Sequence, residues 1–355
     1  LAVLPVLLLA QFGNNGALIS VKSGAMISVH EEVVNYNGGE FHNTDTIYLF
    51  DDWQNDAGNE AFISSGIGIV YMYGADQRIK GNDITRFYDL RLTQTGTKYG
   101  DLDVYVDGFL RFNDRRFHLD VNTVHVFNPN INAVENIGFG YLSALNGGGL
   151  LRHTNSIQPY FYPLGWTGGY YRPLTLTMEN NVANEFKGRM AFTDATTEGW
   201  NRGLREATLC EVNPVYYHQI FQENGTTAAK VKLEYDEAVD GEWNTITHWQ
   251  NIPRWEDIGD ETSGIDAVSS LEFHETVDYI SDFNSPAFAL GNESDSLEIV
   301  ASDTVICQGE SVIFSTDAGL TFYEFFQNGT SVQSGTSNTY TTSNISDGDV
   351  FKLSI

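Results

Sequence analysis

Between residues 45 and 127 the chain returns four times to a short apolar strand: Ile47-Tyr48-Leu49-Phe50, Ile69-Val70-Tyr71-Met72-Tyr73, Leu90-Arg91-Leu92 and Phe109-Leu110-Arg111-Phe112. The starts of these strands are separated by 22, 21 and 19 residues (47 to 69, 69 to 90, 90 to 109). A period of about 20 residues is typical of one coil of a β-solenoid. The intervening segments, such as 51–59 and 95–101, are rich in Asp, Asn and Gly, so we predict that they turn the chain between strands.

Similar strands extend the solenoid in both directions. Leu18-Ile19-Ser20-Val21 and Met26-Ile27-Ser28-Val29 predict opening coils, and the glycine-rich stretch 138–149 predicts the last coil. No stretch before residue 180 has the apolar period of a helix, so the expected fold class is all-β, with the solenoid at 13–155. Because a stack of coils ends in open strand edges, we expect the next region to act as a cap.

The rest of the chain predicts two more β domains. Residues 156–293 lose the period and contain several short alternating strands, which is typical of a β-sandwich. In residues 294–355, Asn328-Gly329 stands between two alternating runs and predicts a hairpin. The sequence stops within the last predicted strand, so we expect this domain to be truncated and the chain to be part of a longer protein.

The first residues, 1–12, contain the apolar run Leu1-Ala2-Val3-Leu4-Pro5-Val6-Leu7-Leu8-Leu9-Ala10. This run is shorter than the roughly 20 residues that span a bilayer. It has the character of the core of a secretory signal peptide, with cleavage after Ala10, and indicates export. The alternative is that the segment stays and packs as a cap on the first coil.

Composition excludes some classes of function. With 47 acidic and 19 basic residues the formal net charge is −28, which argues against nucleic-acid binding because phosphate is bound by basic side chains. A hydrophobic content of 41% argues against disorder. The charge instead suggests a protein kept soluble in salt, or one that holds divalent cations. Cys210 and Cys307 cannot form a disulfide framework, and we expect buried thiols or a partner outside this sequence.

The acidic stretch 101–107 is the first candidate for chemistry on the solenoid. If it is one strand, Asp101, Asp103, Tyr105 and Asp107 share one face. An enzyme would use these carboxylates for calcium binding or glycan cleavage, with Arg115 or Arg116 nearby. Glycoside cleavage requires a paired acid and base, which one acidic strand lacks, so we favour a solvated outer face.

Two other stretches suggest ligands. The stretch 236–242 resembles a calcium loop, but Ala238 and Thr247 stand where an EF-hand needs ligands, and a hairpin turn at Asp240-Gly241 is the simpler interpretation. Trp243, Trp249 and Trp255, with His248, could form a sugar-stacking platform. Pro253 argues against one straight strand through them, so we expect these tryptophans to be buried.

Three segments resemble parts of very large surface proteins of Bacteroidota. Their tandem immunoglobulin-like repeat is resembled by residues 303–312, 323–329, 337–340 and 347–350, and the sequence that often closes their sandwich by residues 281–291. Their solenoid-to-sandwich junction is resembled by residues 148–152 and 162–165 with 171–174. The resemblance implies export by the type IX secretion system and service as an adhesin, filament or capture appendage. Three tripeptides are also similar to the O-glycosylation motif of that phylum: Asp45-Thr46-Ile47, Asp295-Ser296-Leu297 and Asp303-Thr304-Val305.

Taken together, these features predict an extracellular structural or adhesive cell-surface protein that self-associates into a homo-oligomer or filament and binds a cell-surface or glycan ligand. The histidines are scattered and no HExxH or Gly-x-Ser-x-Gly motif occurs, so we predict no catalytic, cofactor-binding or metal-binding residues, with calcium left open. The alternatives are a carbohydrate-active β-helix enzyme, such as a polysaccharide lyase or glycosidase, and a passive spacer.

Overall fold

A computed structural model describes residues 11–59, 62–64, 67–135, 138–259, 261–293, 299–303, 305–307, 309–316, 318 and 321–354. The apolar run of residues 1–10, interpreted above as a signal, lies outside this part of the chain. The chain divides into two units, 1–293 and 294–355, which are described separately. As the sequence predicts, both are built almost entirely of β-strands.

The first part of unit 1 is a stack of coils whose strands pair in parallel with those of the next coil. One side is a seven-stranded sheet in the order β1-β4-β7-β10-β13-β16-β18, and a second is a five-stranded sheet, β15-β12-β9-β6-β3. The third side starts as β2-β5-β8 and continues with β11-β14-β17. The strands are β1 Gln11–Asn15, β2 Leu18–Val21, β3 Met26–Val29, β4 Glu32–Tyr36, β5 Glu40–Asn43, β6 Thr46–Leu49, β7 Trp53–Asp56, β8 Phe62–Ser64, β9 Ile69–Met72, β10 Gln77–Gly81, β11 Thr85–Phe87, β12 Asp89–Leu92, β13 Thr97–Gly100, β14 Val104–Val106, β15 Leu110–Arg111, β16 Arg116–His118, β17 Thr123–Val126 and β18 Tyr141–Ser143.

The repeated strands of the sequence form the five-stranded sheet, which confirms the solenoid. Ile47 pairs with Val70, Val70 with Leu90 and Leu90 with Leu110, so one coil spans 23, 20 and 20 residues (47 to 70, 70 to 90, 90 to 110). The expectation that the intervening segments only turn the chain was wrong. Residues 51–59 and 95–101 contain β7 and β13, because polar side chains that face outward there alternate with buried ones.

A row of buried asparagines runs through the seven-stranded sheet. Asn14 donates from Nδ2 to Oδ1 of Asn35 at 2.9 Å, and Asn35 donates to Oδ1 of Asn55 at 3.4 Å. Stacked side-chain amides of this kind add hydrogen bonds parallel to the backbone ladder. The row ends at Gly81, where a Cβ atom would lie only 2.1 Å from the carbonyl oxygen of Asn55.

Many carboxylates of the solenoid join one coil to a neighbouring one. Each accepts a hydrogen bond from a backbone N–H about one coil away in the sequence. The pairs are Asp45 with Gly24 N at 2.6 Å, Asp52 with Arg78 N at 2.8 Å, Asp76 with Thr97 N at 2.6 Å, Asp103 with Thr123 N at 2.8 Å and Asp114 with Phe139 N at 2.7 Å. Some of the many acidic side chains therefore accept hydrogen bonds from backbone N–H groups where the coils turn.

The second part of unit 1 continues a sheet of the solenoid. Strand β19 (Gly149–Thr154) pairs in parallel with β17 and antiparallel with β24, so a ten-stranded sheet runs from the coils into the sandwich. A five-stranded antiparallel sheet, β20-β23-β27-β31-β30, also belongs to this part. The other strands are β20 Pro159–Tyr162, β21 Gly165–Trp166, β22 Tyr170–Tyr171, β23 Leu174–Met178, β24 Asn184–Ala191, β25 Leu209–Val212, β26 Tyr217–Asn224, β27 Ala229–Tyr235, β28 Thr245–Trp249, β29 Trp255–Asp257, β30 Glu261–Ile265, β31 Glu272–Thr276 and β32 Ala287–Glu293.

Among the described residues of unit 1, helical structure is limited to single turns, which are the 3-10 helices Ile131–Ala133 and Ala195–Glu198 and the α-helical turn α1, Glu237–Asp240. One buried apolar cluster extends from Val21 in the coils to Leu290 in the sandwich. The two parts of unit 1 therefore share a core as well as a sheet.

The described residues of unit 2 form two three-stranded sheets, β33-β34-β37 and β36-β35-β38. The predicted hairpin is confirmed: Asn328 and Gly329 connect β35 to β36 with φ angles of 52° and 79°, as expected for a two-residue turn with both φ angles positive. Its strands are β33 Val300–Ala301, β34 Val312–Ser315, β35 Tyr323–Gln327, β36 Thr330–Gly335, β37 Thr339–Thr342 and β38 Phe351–Ser354.

Candidate binding faces of the solenoid

The three carboxylates of the acidic stretch do not converge. Asp101 follows β13 and binds Nη1 of Arg78 at 2.5 Å, whereas Asp107 follows β14 and binds Arg86 through both oxygens, at 2.8 and 2.7 Å. Asp103 accepts the N–H of Thr123. The expectation of one strand from 101 to 107 was wrong, because β14 covers only Val104–Val106.

The two arginines proposed for an enzymatic site contact other groups. Arg115 donates from Nε to the carbonyl oxygen of Asn113, and Arg116 donates to Oγ of Ser143 at 2.8 Å. Within the part of the chain that the structure describes, neither is recorded in contact with Asp101, Asp103 or Asp107. Asp101, Asp103 and Asp107 therefore make separate contacts at the surface, as expected for a solvated outer face.

Side chains of the ten-stranded sheet form what we call the histidine face: Arg86, Tyr105, His125, Phe127 and His153. Tyr105 lies between Arg86 and His125 in the parallel register. The ring centroids of Tyr105 and His125 are 4.7 Å apart, and those of Phe127 and His153 are 5.0 Å apart. The guanidinium of Arg86 lies 4.5 Å from the ring centroid of Phe127. Rings on three neighbouring strands are thus in continuous contact.

Two acidic side chains, Asp103 and Glu185, lie beside the histidines of the histidine face. Nε2 of His125 lies 3.7 Å from Oδ2 of Asp103, and this contact lowers the pKa of the Asp103 carboxyl. Nε2 of His153 lies 3.7 Å from Oε1 of Glu185. Burial lowers the pKa of His153 below its usual value; the Glu185 carboxylate opposes this effect and His125 adds to it.

The five-stranded sheet carries a second aromatic surface, which we call the tyrosine face: His30, Tyr48, Phe50, Tyr71 and Tyr73. Tyr48 and Tyr71 are cross-strand neighbours whose ring centroids lie 4.7 Å apart at an interplanar angle of 14°. His30 and Phe50 stack at 4.0 Å. Tyr73 stands at 89° to the ring of Tyr48 and at 64° to that of Phe50. All four tyrosine and phenylalanine side chains are only partly buried.

Arginines continue the Tyr48 and Tyr71 row into the next coils. Arg91 pairs with Tyr71 and Arg111 pairs with Arg91 in the register. Nη1 of Arg91 donates to the hydroxyl oxygen of Tyr71 at 3.0 Å, and Nη1 of Arg111 donates to the carbonyl oxygen of Asn132 at 2.9 Å. In a chain with a net charge of −28, this row places two cations beside stacked rings.

The geometry of the tyrosine face limits what it can bind. Stacked rings such as Tyr48 and Tyr71 cover one face of each other, so they present edges and hydroxyl groups rather than open π-faces. Tyr73 is not stacked on either neighbour, since its ring stands at 89° to Tyr48 and at 64° to Phe50, so we regard it as the ring best placed to stack on a ligand. The hydroxyl of Tyr71 and the guanidinium of Arg91, on the same sheet, would supply directional hydrogen bonds.

Sequence reasoning missed both aromatic faces, although a signal was present. In Ile47-Tyr48-Leu49-Phe50 and Val70-Tyr71-Met72-Tyr73 the aliphatic residues alternate with aromatic ones. Ile47, Leu49, Val70 and Met72 are buried, so the alternate aromatic residues must face outward. Alignment of the repeats by this alternation would have brought Tyr48 beside Tyr71.

The tryptophan prediction is confirmed. Trp243, Trp249 and Trp255 are buried, and Trp249 and Trp255 are paired across the hairpin of β28 and β29 with centroids 5.7 Å apart. Pro253 lies in the connection of that hairpin. His248 is also buried and stacks on Phe288 at 4.1 Å. These side chains form core contacts rather than a platform for sugars.

The stretch 236–242 differs from its predicted hairpin turn. Residues 237–240 form the helical turn α1, whose last residue Asp240 points into the protein. Its carboxylate binds Arg172 at 2.5 and 2.9 Å and accepts the hydroxyl of Tyr216 at 3.0 Å. The side chains of Arg172 and Asp240 are 2% and 3% exposed, so this carboxylate serves a buried ion pair.

The expectation that the cysteine thiols are buried was wrong, since Cys210 and Cys307 are free and exposed; the alternative, a partner outside this sequence, stays a prediction. Cys210 lies on the short strand β25, where its neighbour Leu209 takes the buried position. Among the described residues, no group of three or more His, Cys, Asp or Glu side chains has a metal-binding arrangement. Of the glycosylation-like tripeptides, 295–297 and Thr304 lie outside the described residues, and Thr46 is partly exposed on β6.

The chain was compared with known proteins in three ways. No family model, no curated protein and no solved structure matches it. Among the described residues, no helix is both long and apolar enough to cross a membrane.

Proposed function

We propose that this chain is the stiff, ligand-contacting part of an exported cell-surface protein, a structural or adhesive component of a filament, adhesin or capture appendage. The observation that carries the proposal is strand β19, which pairs with the last coil on one side and with the sandwich on the other. Tension across unit 1 would therefore be borne by the inter-strand hydrogen bonds of one sheet and by one core.

Side-chain ladders add to this stiffness. The Asn14, Asn35 and Asn55 row lies inside the coils, and the Tyr48 and Tyr71 stack lies outside them. Both connect neighbouring coils in the direction in which the coils would separate. The resemblance of the sequence to Bacteroidota surface proteins supports export by the type IX system and an extracellular location.

The adhesive part of the proposal concerns the tyrosine face. We assign it a cell-surface glycan, because Tyr73 is not stacked on its neighbours Tyr48 and Phe50, and the Tyr71 hydroxyl with the guanidinium of Arg91 belongs to the same surface. Sugars are recognised by such a combination of an apolar ring face and directional donors. Self-association of copies through a flat aromatic face is the competing use of the same surface.

Force spectroscopy tests the mechanical part. With handles at Gln11 and Glu293, we expect coils and sandwich to rupture in one cooperative event. Weakening the junction with Arg152→Met should lower the rupture force, whereas the exposed Arg254→Met should not. Two independent ruptures at unrelated forces in the unmodified chain would contradict a load-bearing joint.

A glycan array tests the adhesive part. We expect binding of the unmodified chain to a defined subset of glycans and its loss in Tyr73→Ser and Arg91→Gln. Tyr99→Ser, a partly buried outward tyrosine on the seven-stranded sheet, is the matched control. Equal binding by all variants would remove the tyrosine face as the site, and cleavage of bound polysaccharide would favour the enzyme alternative.

A further inference from the structure

Four side chains lie side by side across the sheet that joins the coils to the sandwich: Phe127, His153, Glu185 and Asn224. His153 on β19 pairs with Glu185 on β24, and Glu185 pairs with Asn224 on β26. Phe127 directly follows β17, and its ring centroid lies 5.0 Å from that of His153. The row therefore crosses from the last parallel strands to the first antiparallel ones.

This row forms one side of a pocket of about 140 Å³, which we call the junction pocket. Connecting segments supply its other sides: Pro129 follows β17, Asn155 follows β19 and Ala183 precedes β24. All of these residues belong to unit 1. The junction pocket is thus built by the continuous sheet and by the turns that leave it.

The carboxylate of Glu185 has no close hydrogen-bond partner among the described residues. Its Oε1 lies 3.7 Å from Nε2 of His153 and 3.5 Å from Nδ2 of Asn224, at or beyond the limit of a hydrogen bond. By contrast, Glu223 on β26 binds Nζ of Lys187 at 2.6 Å. The side chains of His153 and Glu185 are both 29% exposed, so a ligand in the pocket can reach them.

The spacing of His153 and Glu185 suits a bridging hydroxyl group. Two polar atoms 3.7 Å apart can both hydrogen-bond to one oxygen atom placed between them. Burial lowers the pKa of His153, which favours the neutral ring, and a neutral ring has one donor and one acceptor nitrogen. Nδ2 of Asn155 is a further donor without a partner in the described part of the chain.

The size and charge of the junction pocket narrow the class of ligand. A volume of about 140 Å³ holds roughly four or five water molecules at about 30 Å³ each, which suits one small ring with its hydroxyl groups. Drug-sized ligands occupy larger pockets, of about 300 to 1,000 Å³. The carboxylate of Glu185 disfavours an anion, while Phe127 and Pro129 provide an apolar side for the C–H groups of a ring.

We propose that the junction pocket binds one neutral sugar residue, with a hydroxyl group of the sugar placed between His153 and Glu185 and hydrogen-bonded to both. Asn155 and Asn224 bind further hydroxyl groups, and the ring packs against Phe127 and Pro129. The proposal rests on this pocket alone and not on the tyrosine face, which belongs to another sheet.

Saturation-transfer NMR on the full chain of 355 residues tests the proposal. The probes are D-galactose, D-glucose, D-mannose, L-fucose and N-acetyl-D-glucosamine, with N-acetylneuraminic acid as the anionic sugar. We expect saturation transfer to at least one neutral sugar, with a Kd on the order of millimolar for so small a ligand, and none to the anionic sugar.

Two pairs of variants locate the site. Ala183→Trp fills the junction pocket and should abolish transfer, whereas Val182→Trp, at the adjacent exposed position outside the pocket, should not. Glu185→Gln replaces one acceptor oxygen by a donor and should weaken binding several-fold. Glu223→Gln, whose carboxylate pairs with Lys187, is its control. Circular dichroism confirms that each variant is folded before its binding is interpreted.

Three results would overturn the proposal. One is the absence of transfer to every neutral sugar tested, and another is equal transfer to the unmodified chain and to Ala183→Trp. The third is transfer that is lost in Tyr73→Ser and retained in Ala183→Trp, which would assign the sugar to the tyrosine face. The first two results leave the glycan-array test of the tyrosine face undecided, so the two proposals can fail separately.

Discussion

The guanidinium carbon of Arg152 lies 5.1 Å from the ring centroid of Tyr160, inside the junction of solenoid and sandwich. Arg152 is on β19, and it donates only to backbone carbonyl oxygens: those of Phe161 at 2.7 Å, Asn130 at 3.1 Å and Ile131 at 3.0 Å. One buried cation thus ties the connection between β17 and β18 to β20, the first strand of the five-stranded antiparallel sheet. Burial lowers the pKa of Arg152 to about 10, so the side chain remains charged at neutral pH.

Replacement of Arg152 by methionine should destabilise unit 1. The substitution removes three partly buried hydrogen bonds to carbonyl oxygens. That of Asn130 keeps another donor, the N–H of Ala133 at 2.9 Å, and each buried polar group left unsatisfied costs about 1 to 3 kcal/mol. The variant no longer buries a charge, which offsets part of this cost. We therefore expect the free energy of unfolding to fall by on the order of 3 kcal/mol. Urea denaturation measures it, with the exposed Arg254→Met as control; equal midpoints for the two variants would contradict the role given to Arg152.

Glycine is required at position 81 by crowding as well as by its backbone angle. Gly81 has a φ of 125°, and a Cβ atom there would meet Asn55 O at 2.1 Å. Gly24 also has a positive φ, 82°, but nothing lies within 4 Å of its Cβ position. We expect Gly24→Ala to cost about 1 kcal/mol and Gly81→Ala clearly more, since it also displaces the end of the asparagine row. Similar thermal midpoints would argue against the close contact.

The buried ion pair of Arg172 and Asp240 should respond strongly to loss of one partner. Asp240→Asn leaves the guanidinium of Arg172 buried without a counter-charge, and breaking such a pair costs about 3 to 5 kcal/mol. Glu237→Gln, an exposed position of the same helical turn, is the control and should change the free energy of unfolding little. A small effect of Asp240→Asn would show that the carboxylate is free for another use, such as the calcium binding considered from the sequence.

His218 should make unit 1 less stable in mild acid. Burial lowers its pKa in the folded protein to about 4, and its Nε2 lies 2.9 Å from the carbonyl oxygen of Arg172. The unfolded chain binds a proton below pH about 6.5, while the folded chain does not until pH about 4. This stabilisation is therefore complete above pH 6.5 and is lost as the pH falls towards 4, by about 3 kcal/mol in total.

The measurement for His218 is the free energy of unfolding between pH 4 and 7 for the unmodified chain and for His218→Gln. The variant should lose this part of the pH dependence. His248 and His153, whose pKa values are also lowered by burial, act in the same direction and remain in both proteins. Parallel curves for the two proteins would show that His218 does not titrate in this range.

The local sequence pattern was sufficient to predict the strands of the solenoid, but not which side chains meet on its aromatic faces. Ile47 and Val70 belong to one sheet because apolar residues recur at about the length of a coil, and that recurrence is visible along the chain. The polar stretch containing Trp53 and Asn55 was misassigned as a turn because its inward residues include an amide. Asn55 is acceptable inside the coil because its side-chain amide is hydrogen-bonded, with Nδ2 donating to the carbonyl oxygens of Gly58 and Ile84, both at 3.0 Å, and Oδ1 accepting from Asn35. The contacts with Asn35 and Ile84 join residues that are distant in the sequence, so a linear sequence does not display them.

By itself the sequence determined the all-β class, the coil repeat of unit 1 and the Asn328-Gly329 hairpin, since period and turn chemistry act over a few neighbouring residues. Only the tertiary structure decided that Asp101, Asp103 and Asp107 bind separate partners, that Tyr48 stacks on Tyr71, and that β19 belongs to coils and sandwich alike. These features depend on register between strands that are distant in sequence. Register is set by burial of the whole core rather than by any local residue pattern.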